Sequence, residues 1–60
     1  MSDRLYQIRT SHRISQWAMA VKTGVHQSRI SLIERGLVKP REEEKKKLAK
    51  ELGVKVEELF

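Results

Sequence analysis

One spacing constrains the fold more than any other. In the stretch SQWAMAVKTGVHQSRISLIERG, Ser15 to Gly36, the pair Ala20-x-x-x-Gly24 sits between two short apolar-periodic segments. Glycine takes the left-handed backbone at a helix C-terminus with little strain, so Gly24 reads as the stop of the first segment. Two short helices that turn at a glycine must pack closely where they cross. Ala20, one turn before the glycine, is small enough to permit that approach.

The rest of the chain supplies further short helices. A first helix is expected over about Asp3 to His12, with Leu5 and Ile8 three apart on its inner face, and Ile14 follows in a short connection. Ser15 is a good N-cap, because its hydroxyl accepts from the free amides of the next turn; Ala18 stands where a full capping box needs Glu or Gln. The second helix is then expected over Gln16 to Thr23, with Met19 and Ala20 inward. The third is expected over Gln27 to Arg35, stopped by Gly36 and begun by His26, a poor cap and otherwise a solvated histidine. Pro40 opens a fourth helix over Arg41 to Leu52, ended by Gly53. Glu42, Glu43 and Glu44 fall in its positive first turn, and Lys46 and Lys47 lie four residues after the first two, which reads as a solvated face. Leu48 and Leu52 make its apolar stripe, and a last turn, Val56 to Phe60, closes the core with Val56, Leu59 and Phe60. Strand signals are weak, since alternation is short and β-branched runs are missing. The expected fold is all-α: one domain over residues 1–60, five short helices around one small core.

Size and charge narrow the function. A 60-residue chain buries a modest share of its surface, so the fold should be compact and marginal. There is no cysteine, which removes disulfides, thiolate metal sites and cysteine nucleophiles, and His12 and His26 cannot make a structural zinc site alone. No metal, cofactor or catalytic group is expected: no nucleophile stands near a base, and no glycine loop cradles phosphate. Nothing approaches the length of a membrane span, and the basic residues are spread over several helices rather than one face, so the expected location is the cytoplasm. The net charge is +5, and it is unevenly placed. Residues 1–41 carry eight Lys and Arg against Asp3 and Glu34, whereas residues 42–60 carry five basic against six acidic side chains. A basic front and a neutral back point to a polyanion partner.

The third helix shows what that front would present. With Ile30 set at zero on a helical wheel, Ile33 falls at about −60°, while Ser31, Arg35, Ser28 and Leu32 spread from about 100° to about 200°. Gln27 and Glu34 lie to one side, Glu34 leaning toward the protein. The outward face is therefore Gln27, Ser28, Ser31, Leu32 and Arg35. A glutamine amide pairs with adenine in bidentate fashion, serine bonds to any base, and an apolar side chain touches the thymine methyl. With the bend at Gly24, this is a helix-turn-helix arrangement, in which the second helix of the pair enters the major groove.

Over about Arg4 to Phe60 the sequence resembles the Cro and lambda-repressor family, the XRE-type helix-turn-helix. The resemblance rests on Ile14-Ser15-Gln16, Met19-Ala20, Gly24-Val25, Gln27-Ser28, Ile30-Ser31, Ile33-Glu34-Arg35-Gly36, Pro40, Leu48-Ala49-Lys50-Glu51-Leu52-Gly53-Val54 and Glu57-Glu58-Leu59. It implies that Gln27, Ser28, Ser31 and Leu32 face bases, and that Ser15, Gln16, Arg35 and Lys39 face phosphates. It implies that Gln16 braces Gln27 while its own backbone amide meets a phosphate, and that Arg9 pairs with Glu34 to tie the first helix to the third. It also implies a palindromic double-stranded DNA operator, a homodimer and a role as a repressor. The sequence departs from the family at Arg13, where a glycine is common between the first two helices, and at Thr23, where leucine is common. His26 stands in place of Ser or Thr, and Glu42 and Lys45 hold positions that are usually apolar. Trp17 stands where a polar residue is usual and is expected to lie partly flat on the core. Two other readings remain open: an antitoxin that binds its operator and a toxin protein, and a protein-interaction module without DNA. The basic front argues against the second.

Overall fold

The short segments form helices because each buries a few apolar side chains in a shared core. The computed structural model describes residues 4–60. Its elements are α1 (Arg4–Ser11), α2 (Gln16–Thr23), α3 (Gln27–Glu34), α4 (Glu42–Leu52) and α5 (Val56–Leu59), with no strand among the described residues. Asp3, the expected start of the first helix, lies outside the described residues. The other ends agree with the reading above to within a residue: α1 stops at Ser11, α3 at Glu34, α4 starts at Glu42 and α5 stops at Leu59. The molecule measures 22 × 22 × 20 Å.

Leu5, Met19, Ile30, Ile33, Leu48 and Leu59 are fully enclosed, one or two from each helix, and Val25, Ala49 and Leu52 complete the core. Burying one such side chain contributes about 1.5–3 kcal/mol, which is how helices this short become stable. α2 packs on α3 and α4, α1 on α3 and α5, and α4 on α5, so α3 is held on one side while its other face stays open. Two expectations about the core are corrected: Phe60 as a core residue and Trp17 lying partly flat on it. Phe60 is 36% exposed, because α5 ends at Leu59 and the chain turns its last side chain outward. Trp17 is 71% exposed, and Val21, one turn on, is exposed beside it, because no helix packs against that side of α2.

The turns follow local rules with one informative departure. Ser15 caps α2 as expected, its hydroxyl accepting from the Ala18 amide at 3.0 Å. Gly24 has φ 78°, and its amide donates to the Ala20 carbonyl at 2.8 Å. A Cβ there would meet nothing within 4 Å, so the backbone conformation, not crowding, calls for glycine. At the end of α1 the left-handed position belongs to Arg13, with φ 58°. There the Ile14 amide donates back to the Arg9 carbonyl at 3.2 Å and the Arg13 amide to Thr10 at 2.9 Å, the helix-ending pattern that normally selects glycine. The turn keeps its geometry despite the departure at Arg13, at the cost of a strained residue.

Two further expectations are corrected. Glu44 is not on a solvated face: it is 8% exposed, accepts from Arg29 at 3.0 and 2.7 Å, and accepts from the Arg41 amide at 2.8 Å. That carboxylate both caps α4 and ties α4 to α3. The ion pair in the first turn of α4 is Lys45 with Glu42 at 3.4 Å, rather than the pairs four residues apart.

Candidate nucleic-acid interface

The outward face of α3 is built by its neighbours. The Arg9 guanidinium, 6% exposed, reaches Glu34, 7% exposed, through Nε at 2.5 Å and through its second nitrogen at 3.0 Å. A third donor on Arg9 meets the Ile14 carbonyl at 2.8 Å, and the Tyr6 ring lies 5.3 Å from the guanidinium carbon. This buried pair locks α1 against α3 and against the turn that leads into α2.

From Glu34 a chain of hydrogen bonds runs to the surface. The Gln16 Nε2 donates to Glu34 Oε1 at 2.9 Å, and the Gln27 Nε2 donates to Gln16 Oε1 at 3.0 Å. Both glutamines are half-buried, and both stand at the first position of their helices. Both ends of the Gln16 amide are thus engaged within the protein, Nε2 by Glu34 and Oε1 by Gln27. What Gln16 offers outward is its backbone amide, which at the first position of a helix has no intrahelical partner and lies at the positive end of the helix dipole.

His26 takes the capping position that the sequence assigns to it. Its Nδ1 accepts from the Ser28 amide at 3.1 Å and lies 2.8 Å from the Ser28 hydroxyl, so it caps α3 although imidazole is a poor cap on average. Accepting an amide proton leaves Nδ1 unprotonated, so the Ser28 hydroxyl donates to the same nitrogen and turns its lone pairs outward. Arg29 is a residue that the sequence reading missed: it turns sideways to Glu44 and takes no place on the open face.

The remaining side chains fall as the wheel orders them. Ser28 and Arg35 are exposed, and Ser31 and Leu32 are half-buried on the same side. Ser15, at the start of α2, and Lys39, in the loop after α3, are exposed. The positive charge is sorted too. Arg9 and Arg29 are neutralised by Glu34 and Glu44, whereas Arg13, Arg35, Lys39 and Arg41 make no ion pair among the described residues. No group of three or more His, Asp and Glu side chains that could hold a metal stands together among the described residues, and no helix is long and apolar enough to cross a membrane.

A model of helix-turn-helix proteins matches residues 5–59, nearly the whole chain, a range that includes α2 and α3. The chain belongs to the helix-turn-helix family. Among solved structures, this helix-turn-helix chain is similar to the restriction-modification controller protein C.AhdI from Aeromonas hydrophila. The two are 33% identical and superpose with a TM-score of 0.90, over 97% of this chain and 88% of that one. No curated protein matches. The resemblance to the XRE type therefore holds at the level of the whole fold, from α1 to α5.

Proposed function

We propose that this DNA-binding regulator reads double-stranded DNA with α3 in the major groove, as a homodimeric repressor acting in the cytoplasm. The observation that carries the reading is the pair of linked glutamines at the starts of α2 and α3, which puts one free amide edge beside one free helix N-terminus. Gln27, Ser28, Ser31 and Leu32 meet base edges. The backbone amide of Gln16, with Ser15, Arg35 and Lys39, meets phosphates on either side. A two-fold operator needs recognition helices about 34–36 Å apart, a span that two copies of a molecule 22 Å broad can reach side by side.

Selection of bound duplexes from a random pool, followed by titration at several salt concentrations, tests the reading. The expected result is a two-fold consensus and an affinity whose log–log salt slope is about −0.9 per phosphate neutralised. Gln27→Ala should cost about 1–3 kcal/mol and relax one base preference, whereas Lys39→Ala should weaken all sequences alike. Equal losses on every probe for Gln27→Ala, or no consensus at all, would refute it. A second reading narrows the target. The 33% identity to a restriction-modification controller favours control of restriction-modification genes, and the selected consensus should then recur upstream of such genes.

A further inference from the structure

Gln27 is the end of a chain of donors and acceptors whose direction is set at its buried start. The Glu34 carboxylate accepts two bonds from Arg9, and a carboxylate accepts but does not donate. The amide of Gln16 must therefore turn its Nε2 toward Glu34, which leaves its Oε1 toward α3. That oxygen accepts, so the amide of Gln27 must turn its Nε2 toward Gln16. Each amide has two chemically opposite ends, and neither is free to choose.

We propose that the Arg9–Glu34 pair, acting through Gln16, fixes the direction of the Gln27 amide and thereby selects a base with an exocyclic amino group over one with a keto group. The inference rests on the proposal that Gln27 reads a base. With Nε2 anchored to Gln16, the edge offered to DNA has its second N–H nearer α2 and Oε1 farther away. Adenine matches both ends, N7 taking the proton and the 6-amino group meeting Oε1; cytosine matches the oxygen through its 4-amino group. Guanine O6 and thymine O4 would meet Oε1 lone pair against lone pair. An amide free to turn over would present its N–H to those oxygens and donate to them. Arg9, Glu34 and Gln16 are on this account positioning residues for specificity.

The experiment compares the whole chain with Arg9→Met/Glu34→Leu and with Gln16→Met. The first variant removes the acceptor that sets the direction and keeps both glutamines. The second keeps the buried pair and breaks the link at a half-exposed side chain, where loss of folding is not at issue. Four duplexes of the selected consensus, differing only at the base that Gln27→Ala identifies, are titrated at one salt concentration. The expected wild-type preference for the amino bases is about 5- to 150-fold, the range of a bidentate contact. In both variants it should fall to about two-fold, with the keto bases gaining relative to adenine. A purely structural role would weaken all four duplexes alike. Retention of the wild-type ratio in either variant, with Gln27→Ala still abolishing it, overturns the relay and leaves the base-reading role of Gln27 standing. If Gln27→Ala changes no position, the underlying reading fails and the relay with it.

Discussion

Replacing one member of the Arg9–Glu34 pair should strongly destabilise this protein, and replacing both should not. Arg9 is 6% exposed and Glu34 7%, and between them they make three bonds beyond the pair itself or the backbone of their own helices, to Ile14, to Gln16 and to the face of Tyr6. Arg9→Met leaves a buried carboxylate with one donor, Gln16; Glu34→Leu leaves a buried guanidinium with the Ile14 carbonyl. Stranding one charge of a buried pair costs about 3–5 kcal/mol. A chain of 60 residues has about 3–9 kcal/mol of stability in all, so either single variant loses a third of it or more. The double variant removes both charges, and buried pairs replaced by apolar side chains are often neutral or more stable. The bond that Gln16 loses is partly replaced by water, because Gln16 is half-exposed. The double variant should therefore stand within about 2 kcal/mol of wild type, with a coupling energy of about 3 kcal/mol or more between the two sites. Urea denaturation of the four proteins, followed by far-ultraviolet circular dichroism, measures this directly. Single losses below about 1 kcal/mol with no coupling would mean that the pair behaves as a solvent-screened one, and would refute the argument.

Three other perturbations test separate parts of the structure. The hydrogen bond from Arg29 to Glu44, aided by that from the Arg41 amide, holds the Glu44 carboxyl below its ordinary value of 4.5 against the opposing effect of burial. A depressed folded value means that the unfolded chain takes up the proton first, so the Glu44 contribution is full above about pH 4.5 and is lost as pH falls through the folded value. Glu44→Gln should flatten the acid limb of stability, and an unchanged limb in urea melts from neutral pH downward would count against it. Arg13→Gly relieves the left-handed strain at the end of α1 and should raise stability by up to about 1 kcal/mol, read as a higher urea midpoint; a lower midpoint would mean that the Arg13 side chain contributes more than its backbone costs. Trp17 is 71% exposed, so its fluorescence should be readily quenched by acrylamide in the folded state, and Trp17→Gln should change stability by less than about 0.5 kcal/mol; a protected ring would place it in a contact that the fold does not show.

What the sequence alone determined is what depends on neighbours along the chain. The starts of α2 and α3, the stops at Gly24, Gly36 and Gly53, the cap at Ser15 and the enclosed positions Leu5, Met19, Ile30, Ile33, Leu48, Leu52 and Leu59 all follow from helix period and end chemistry, which act within a turn or two. The side of α3 left open follows from the same period. The Arg9–Glu34 pair was legible only through family resemblance, because its partners are 25 residues apart. Tertiary structure decided the rest. Glu44 belongs to Arg29, 15 residues away, although a run of three glutamates in a first helical turn reads as solvated on its own. Trp17 and Phe60 are large and apolar and are expected from the sequence to rest on or in the core, but burial needs an element to cover them and none of the five helices lies there. The direction of the Gln27 amide is the clearest case. Nothing in residue 27 chooses between its oxygen and its nitrogen, and the choice arises only when folding brings a buried carboxylate of α3 within reach of the first side chain of α2.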